Sequence, residues 1–117
     1  MPMTTDFAFI ASMDVAPDKE DLFNTVYDSE HIPYNLEVPG LVTVTRFQTV
    51  DLNLAVGGRV HAISREKRPK YTAIYELTRP EVLTSPEWAS AVDRGRWPTE
   101  VRPYTSNREH FLLRVIR

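Results

Sequence analysis

The segment Tyr71-Thr72-Ala73-Ile74-Tyr75-Glu76-Leu77 constrains the fold more than any other stretch. Tyr71, Ala73, Tyr75 and Leu77 alternate with Thr72, Ile74 and Glu76, which is the period of a strand with two unlike faces. Such a strand needs sheet partners and a covering layer. A chain of 117 residues has room for one domain of that kind, spanning residues 1–117. Size scaling leaves about 6,500 Å² exposed after folding, roughly a third of the extended chain's surface. A single core can therefore form without staples. The chain has no cysteine, which removes disulfides, thiolate zinc, iron–sulfur clusters and a cysteine nucleophile. A formal net charge of −2 gives no support for binding nucleic acid through its phosphates.

The remaining elements follow from period and punctuation. Phe7 to Val15 reads as a first strand, and Ala16-Pro17-Asp18 breaks it. Leu22, Phe23, Val26 and Tyr27 then recur at helical spacing, with Asp18, Glu20 and Asp21 near the favourable end of the dipole. Pro33 disfavours helical geometry at Ile32 and predicts an end or kink near His31, with a short turn from Tyr34 to Val38 beyond it. Pro39-Gly40 predicts a tight turn, and the Val- and Thr-rich run Leu41 to Val50 a second strand. Residues 51–70, with Gly57-Gly58 and a charged run, read as an excursion holding a short ribbon around Val60 to Ile63. Lys70 to Leu77 is the third strand. Pro80 opens a helical stretch, Ser85-Pro86-Glu87 starts a helix with Ser85 as N-cap, and Gly95 closes it. Arg108 to Ile116 is the last strand.

Strand, helix, strand, strand, helix, strand is the ferredoxin-like βαββαβ order, an α+β sandwich with helices on one face of an antiparallel sheet. Phe7, Phe9, Tyr71, Tyr75 and Leu112 are assigned to the other face. They are too apolar for water, so two sheets are expected to pack face to face in a homodimer. No N-terminal leader or membrane-spanning stretch is read in the sequence, so a cytoplasmic location is expected and no membrane partner.

The string Tyr27-Asp28-Ser29-Glu30-His31-Ile32-Pro33, followed by Val38-Pro39-Gly40 and Arg46-Phe47, resembles the dimeric α+β barrel superfamily, above all its EthD-like and related bacterial members. Tyr71 to Leu77, Pro80-Glu81-Val82-Leu83, Ser85-Pro86-Glu87-Trp88 and Val101-Arg102-Pro103 match in order, so the likeness runs over almost the whole chain. It departs in the length of residues 51–70, and in Phe47 where tyrosine is common. The resemblance implies a homodimeric barrel. It leaves the chemistry open among cofactor-free oxygenases, cyclases, isomerases, haem enzymes and proteins without activity.

His31 is the first candidate for chemistry. Phe23, Tyr27 and His31 fall four apart and share a helix face, so Tyr27 can orient the imidazole or donate to a substrate oxygen. A histidine in a last helical turn can equally be a cap. Arg46 follows Val42 and Val44 on one strand face, where it can stabilise an enolate or form an ion pair with Glu76 or Glu30. Phe23, Tyr34, Tyr71, Tyr75 and Trp88 are read as substrate-binding, and Trp97 as a second wall. His110 reads as an interface residue.

Other chemistries find no footing. Asp28 and His31 have the spacing of half a metal site, but no second pair completes it. Gly57-Gly58 lacks the context of a nucleotide fingerprint, and no nucleophile elbow is present. Some members of the superfamily hold haem through histidine, but only His31 would speak for it here, and neither metal nor cofactor is expected. The expectation is a cofactor-independent enzyme of the isomerase, cyclase or lyase type. It would move a proton next to the carbonyl of an aromatic, polyketide-like or lactone substrate, with His31, Tyr27 and Arg46 as catalytic residues. The competing expectation is a non-catalytic small-molecule-binding dimer.

Overall fold

Four antiparallel strands form the main sheet, in the order β2 (Leu41–Gln48), β5 (Tyr71–Leu77), β1 (Phe7–Val15), β6 (Thr105–Arg114). A computed structural model of the chain describes residues 3–116. Met1 and Pro2, read above as part of an N-terminus without a leader, lie outside the described residues. The central strand β1 pairs Phe9 with Tyr75 and Ala11 with Ala73 on one side, and Phe9 with Leu112 and Ala11 with His110 on the other. Phe9, Ala11, Met13, Tyr71, Ala73 and Tyr75 therefore share a face.

That face lies under the helices. Met13, Ala73, Tyr75 and Leu77 are buried in one core with Phe23, Val26, Val82 and Trp97, and Phe7, Phe9 and Tyr71 pack against it. This corrects the sequence assignment, which placed Phe7, Phe9, Tyr71, Tyr75 and Leu112 on the open face. Alternation tells which residues share a face; it does not tell which face the helices choose. The aromatic face wins because the helical layer supplies Phe23, Tyr27 and Trp97, whose own ring centroids lie 4.9–5.8 Å apart, and Phe23 meets Tyr71 of the sheet at 5.0 Å. The uncovered face carries Ile10, Ser12, Thr45, Phe47, Ile74 and Phe111 by register. On the same face Ser12 and its cross-strand partner Thr72 join hydroxyls at 2.8 Å.

The first helical layer runs through α1 (Glu20–Val26), a π turn (Tyr27–His31) and α2 (Ile32–Asn35). Its buried line is Phe23, Tyr27, His31, Asn35, a strict four-residue repeat. In a plain α-helix each such step overshoots by about 40°, so the line would drift by about 120° over three steps. The extra residue of the π turn takes back about 100° of that and keeps all four side chains on the sheet. The same widening explains why Pro33 does not end the helix, one of the two outcomes expected there. The Ile32 amide donates to the Tyr27 carbonyl, five residues back, so the ladder is already out of α-helical step where the proline lacks its N–H.

Ser85 caps α3 (Pro86–Ala91) as predicted, its hydroxyl accepting from the Trp88 amide at 3.1 Å. Past this helix Gly95 takes φ +67°. A Cβ there would lie 2.5 Å from Glu30 Oε1. The close approach lets Glu30 accept from the Arg96 backbone at 2.9 Å and from Arg96 Nε at 2.6 Å. A second π turn, Trp97–Val101, and a short 3-10 turn, Arg102–Tyr104, then lead into β6. The sequence reading contained no element there.

The excursion is a free-standing ribbon of β3 (Leu52–Val56) and β4 (Arg59–Ile63), longer than predicted. Gly57 and Gly58, both at positive φ, make its two-residue turn. Every residue of both strands is exposed. The arm raises the radius of gyration to 16.0 Å, against about 13.4 Å for a domain of this length. The exposed area of 7502 Å² likewise exceeds the roughly 6,500 Å² expected.

Candidate functional site

Between the helices and the covered face of the sheet lies a cavity of about 230 Å³. Ala11 and Met13 form part of its floor, and Phe9, Tyr27, Tyr75, Trp88, Trp97 and His110 contribute aromatic walls. Arg102, Thr105 and Arg108, on β6 and the turn before it, complete one side. The rings touch in sequence. Phe9 stacks on His110 at 5.7 Å, and meets Trp88 edge-on at 6.1 Å. On the opposite side His31 stacks on Trp97 at 4.1 Å with 17° between planes, and Tyr27 meets both edge-on.

Besides Arg102, Thr105, Arg108 and His110, two polar features face this space. The hydroxyls of Tyr27 and Tyr75 share a 2.7 Å hydrogen bond. One hydroxyl donates to the other, which leaves the second O–H free to serve a neighbour or a ligand. Burial pushes the Tyr27 phenol up to about 12, and Tyr75 well above the usual tyrosine range. His31 is the other feature. It is 5% exposed, and its Nδ1 is buried with no hydrogen-bond partner among the described residues. Burial, with a smaller contribution from the Arg102 charge, lowers its pKa to about 3. The imidazole is neutral at physiological pH. It can donate or accept a hydrogen bond, but it is too weak a base to hold a proton.

Of the residues singled out in the sequence as part of a site, His31, Tyr27, Tyr75, Trp88 and Trp97 meet at this cavity. Arg46 does not line it. Its guanidinium binds Asp28 at 2.9 Å and Asn24 Oδ1 at 2.6 Å, and sits 4.6 Å over the Tyr27 ring. The ion-pair reading of Arg46 thus describes its contacts, with Asp28 as partner rather than Glu76 or Glu30. Phe23 is fully buried among Tyr27, Tyr71 and Trp97, one layer behind the wall. Tyr71 donates to Glu20, whose carboxyl is held below its usual range first by Lys70 and then by Tyr71. Tyr34 lies under Arg94 at 4.0 Å, in a separate groove of about 400 Å³. That groove is larger but more open, and its cation, Arg94, is already paired with Glu37 at 3.0 Å.

Sequence reasoning missed Phe9, Arg102, Thr105 and Arg108 as lining residues, and took His110 for an interface residue. Their membership depends on the register of β6 against β1, which pairs residues about 100 positions apart. Burial, and then the Arg108 charge, lowers the His110 pKa. Among the described residues no cluster of three or more His, Asp or Glu could hold a metal ion, and no helix is long and apolar enough to cross a membrane.

The sequence matches no family model, and no curated protein matches it. Solved structures do match. An ethyl tert-butyl ether D (EthD) family protein from Bacillus halodurans C-125 superposes with a TM-score of 0.60 at 13% identity, covering 96% of this chain and 100% of that one. An antibiotic biosynthesis monooxygenase-like protein from Nitrosomonas europaea gives 0.55 at 12% identity, covering 95% and 99%. A dimeric ferredoxin-like protein of unknown function from Thermobifida fusca YX gives 0.55 at 14%, covering 98% and 96%. At these identities the likeness speaks for architecture, and the chain has the ferredoxin-like α+β fold that all three share.

Proposed function

We propose that this chain is a homodimeric, cofactor-independent enzyme whose cavity binds a small aromatic carbonyl compound and moves a proton next to the carbonyl. The observation that carries this reading is the His31 imidazole, its Nδ1 without a partner among the described residues, beside the Tyr27–Tyr75 hydroxyl pair at one aromatic-walled space. Hydrogen-bond donors fixed in a dry site act most strongly where negative charge develops. The free tyrosine O–H and a neutral His31 N–H are suited to a carbonyl oxygen becoming an enolate. Because His31 has so little basicity, the proton goes to another group. His110, at the cavity wall and kept neutral by burial and Arg108, is the remaining base. Arg46 then acts at one remove, by holding Tyr27 against Asp28 and Asn24.

The dimer rests on the uncovered sheet face with Phe47 and Phe111, and on the extra exposed surface of the chain. The likeness to a dimeric ferredoxin-like protein adds to it. The absence of cysteine fits a cytoplasmic setting.

The test is hydrogen–deuterium exchange. A panel of aryl ketones and β-keto esters is incubated with the protein in D2O, and exchange at the position next to the carbonyl is followed by NMR. The wild type is expected to accelerate exchange, and His110→Ala to lose about 10²–10⁴-fold of it. One observation favours the alternative, a binding dimer without catalysis: the low basicity of His31 itself. Compounds that bind without any accelerated exchange establish that reading instead.

A further inference from the structure

We propose that the ligand of this cavity is an aromatic carboxylate, with its ring between Phe9, Trp88 and Trp97 and its carboxylate at Arg108. The inference rests on the reading of the cavity as a small-molecule site and names the class of molecule it takes.

Charge selects the anion. Among the described residues no Asp or Glu side chain lines the cavity, whereas two arginines do. Arg102 is committed, donating to the Val92 carbonyl at 2.7 Å and pairing with Asp93 at 2.9 Å. Arg108 is exposed and has no hydrogen bond or ion pair among the described residues. A cationic group at a concave, apolar-walled site concentrates anions there. A guanidinium presents a planar fork that matches a carboxylate in two parallel hydrogen bonds.

Shape selects the ring. A volume of about 230 Å³ lies below the roughly 300–1,000 Å³ of sites for drug-sized ligands. One ring or two fused rings is the scale that fits. The walls present flat faces and edges at the spacings that aromatic pairs prefer. His31 lines the same cavity, and its Nδ1 has no partner among the described residues, although buried polar atoms are nearly always satisfied. A further oxygen on the ring would satisfy it. A neutral hydrocarbon would leave both Arg108 and His31 unmet.

The chain contains two tryptophans, and both line the cavity, so their indole N–H signals report its occupancy directly. The ¹⁵N-labelled full chain is titrated with 2-naphthoate and, separately, with the neutral isostere 2-naphthamide. The acid is expected to bind at least tenfold more tightly than the amide. Arg108→Gln should bring the acid down to the affinity of the amide and leave amide binding unchanged. Equal affinities in the wild type overturn the inference and leave the small-molecule site standing. So does acid binding that is indifferent to Arg108→Gln; if that variant weakens the dimer in sedimentation instead, Arg108 belongs to a subunit contact. If neither compound moves either indole signal, the small-molecule reading falls as well.

Discussion

His31 lies parallel to Trp97, with centroids 4.1 Å apart, and this stack joins the first helical layer to the turn that leads into β6. The imidazole is held neutral by the burial that the stack imposes.

Stability should therefore fall in mild acid. Folded His31 takes a proton only near pH 3, whereas an unfolded histidine takes one near 6.5. Between these values the unfolded chain binds more protons, so stability rises with pH and is lost as pH falls. From pH 7 to pH 5 the loss from this residue is about 2 kcal/mol. Urea denaturation at the two pH values should show it, and His31→Phe should remove this share of the slope, leaving what His110, also lowered, contributes. Both pH values lie above the window in which Glu20 and Glu30, held low by their cationic partners, take up protons. An unchanged slope in the variant would place the imidazole in water rather than against Trp97.

The Tyr27–Tyr75 hydroxyl pair should behave as a coupled unit. Tyr75→Phe strands a buried hydroxyl, at a cost of about 1–3 kcal/mol. The double Phe variant removes both partners and is expected to be more stable than the sum of the single changes implies. Denaturation of the four proteins of the cycle measures this directly. Additive costs would mean that the two hydroxyls satisfy themselves elsewhere.

Phe111→Asp should dissociate the proposed dimer while leaving the fold intact. Phe111 faces away from the helices opposite Ile10 and is 40% exposed in the single chain, so only an apposed subunit would desolvate the new charge. Sedimentation at micromolar concentration should move from twice the chain mass to one. Tyr75→Asp, by contrast, should unfold the protein, because Tyr75 is 2% exposed and lies under the helices. A folded Tyr75→Asp monomer would contradict the assignment of the two faces.

Gly95→Ala should cost about 1–3 kcal/mol. The left-handed backbone contributes about 1 kcal/mol, and the methyl collides with the Glu30 carboxylate that holds Arg96. Because Arg96 directly precedes Trp97, the Trp97 indole signal should broaden or shift as well. A stable variant with an unmoved indole would show that Glu30 yields without consequence.

Local chemistry was readable where the cause is local. The bounds of β1 and the Ser85 cap follow from period and turn residues, and both stand in the structure as read. The choice of face was not readable, because β1 is apolar on both sides, with Phe9, Ala11 and Met13 on one and Ala8 and Ile10 on the other, and the helices decide between them. His31 and Tyr27 stood out through four-residue spacing on one helix. Arg108 and His110 did not, because their place at the cavity is set by pairing across the whole length of the chain. Arg46 showed its kind of partner but not which one, since Glu30 is already taken by Arg96.

The widened turn at Tyr27–His31 makes this site depend on how many residues there are more than on which ones. Ser29 is exposed, and its hydroxyl reaches no further than the Thr25 carbonyl of its own helix. Substitutions there should cost little. Deleting it is another matter. The loss of one codon restores an ordinary helical step and turns everything downstream by about 100°. His31 and Asn35 would swing off the sheet together, and Pro33 would fall where an unbroken ladder needs its missing amide. At this position the inherited constraint is one of counting, invisible to any scan that only exchanges side chains.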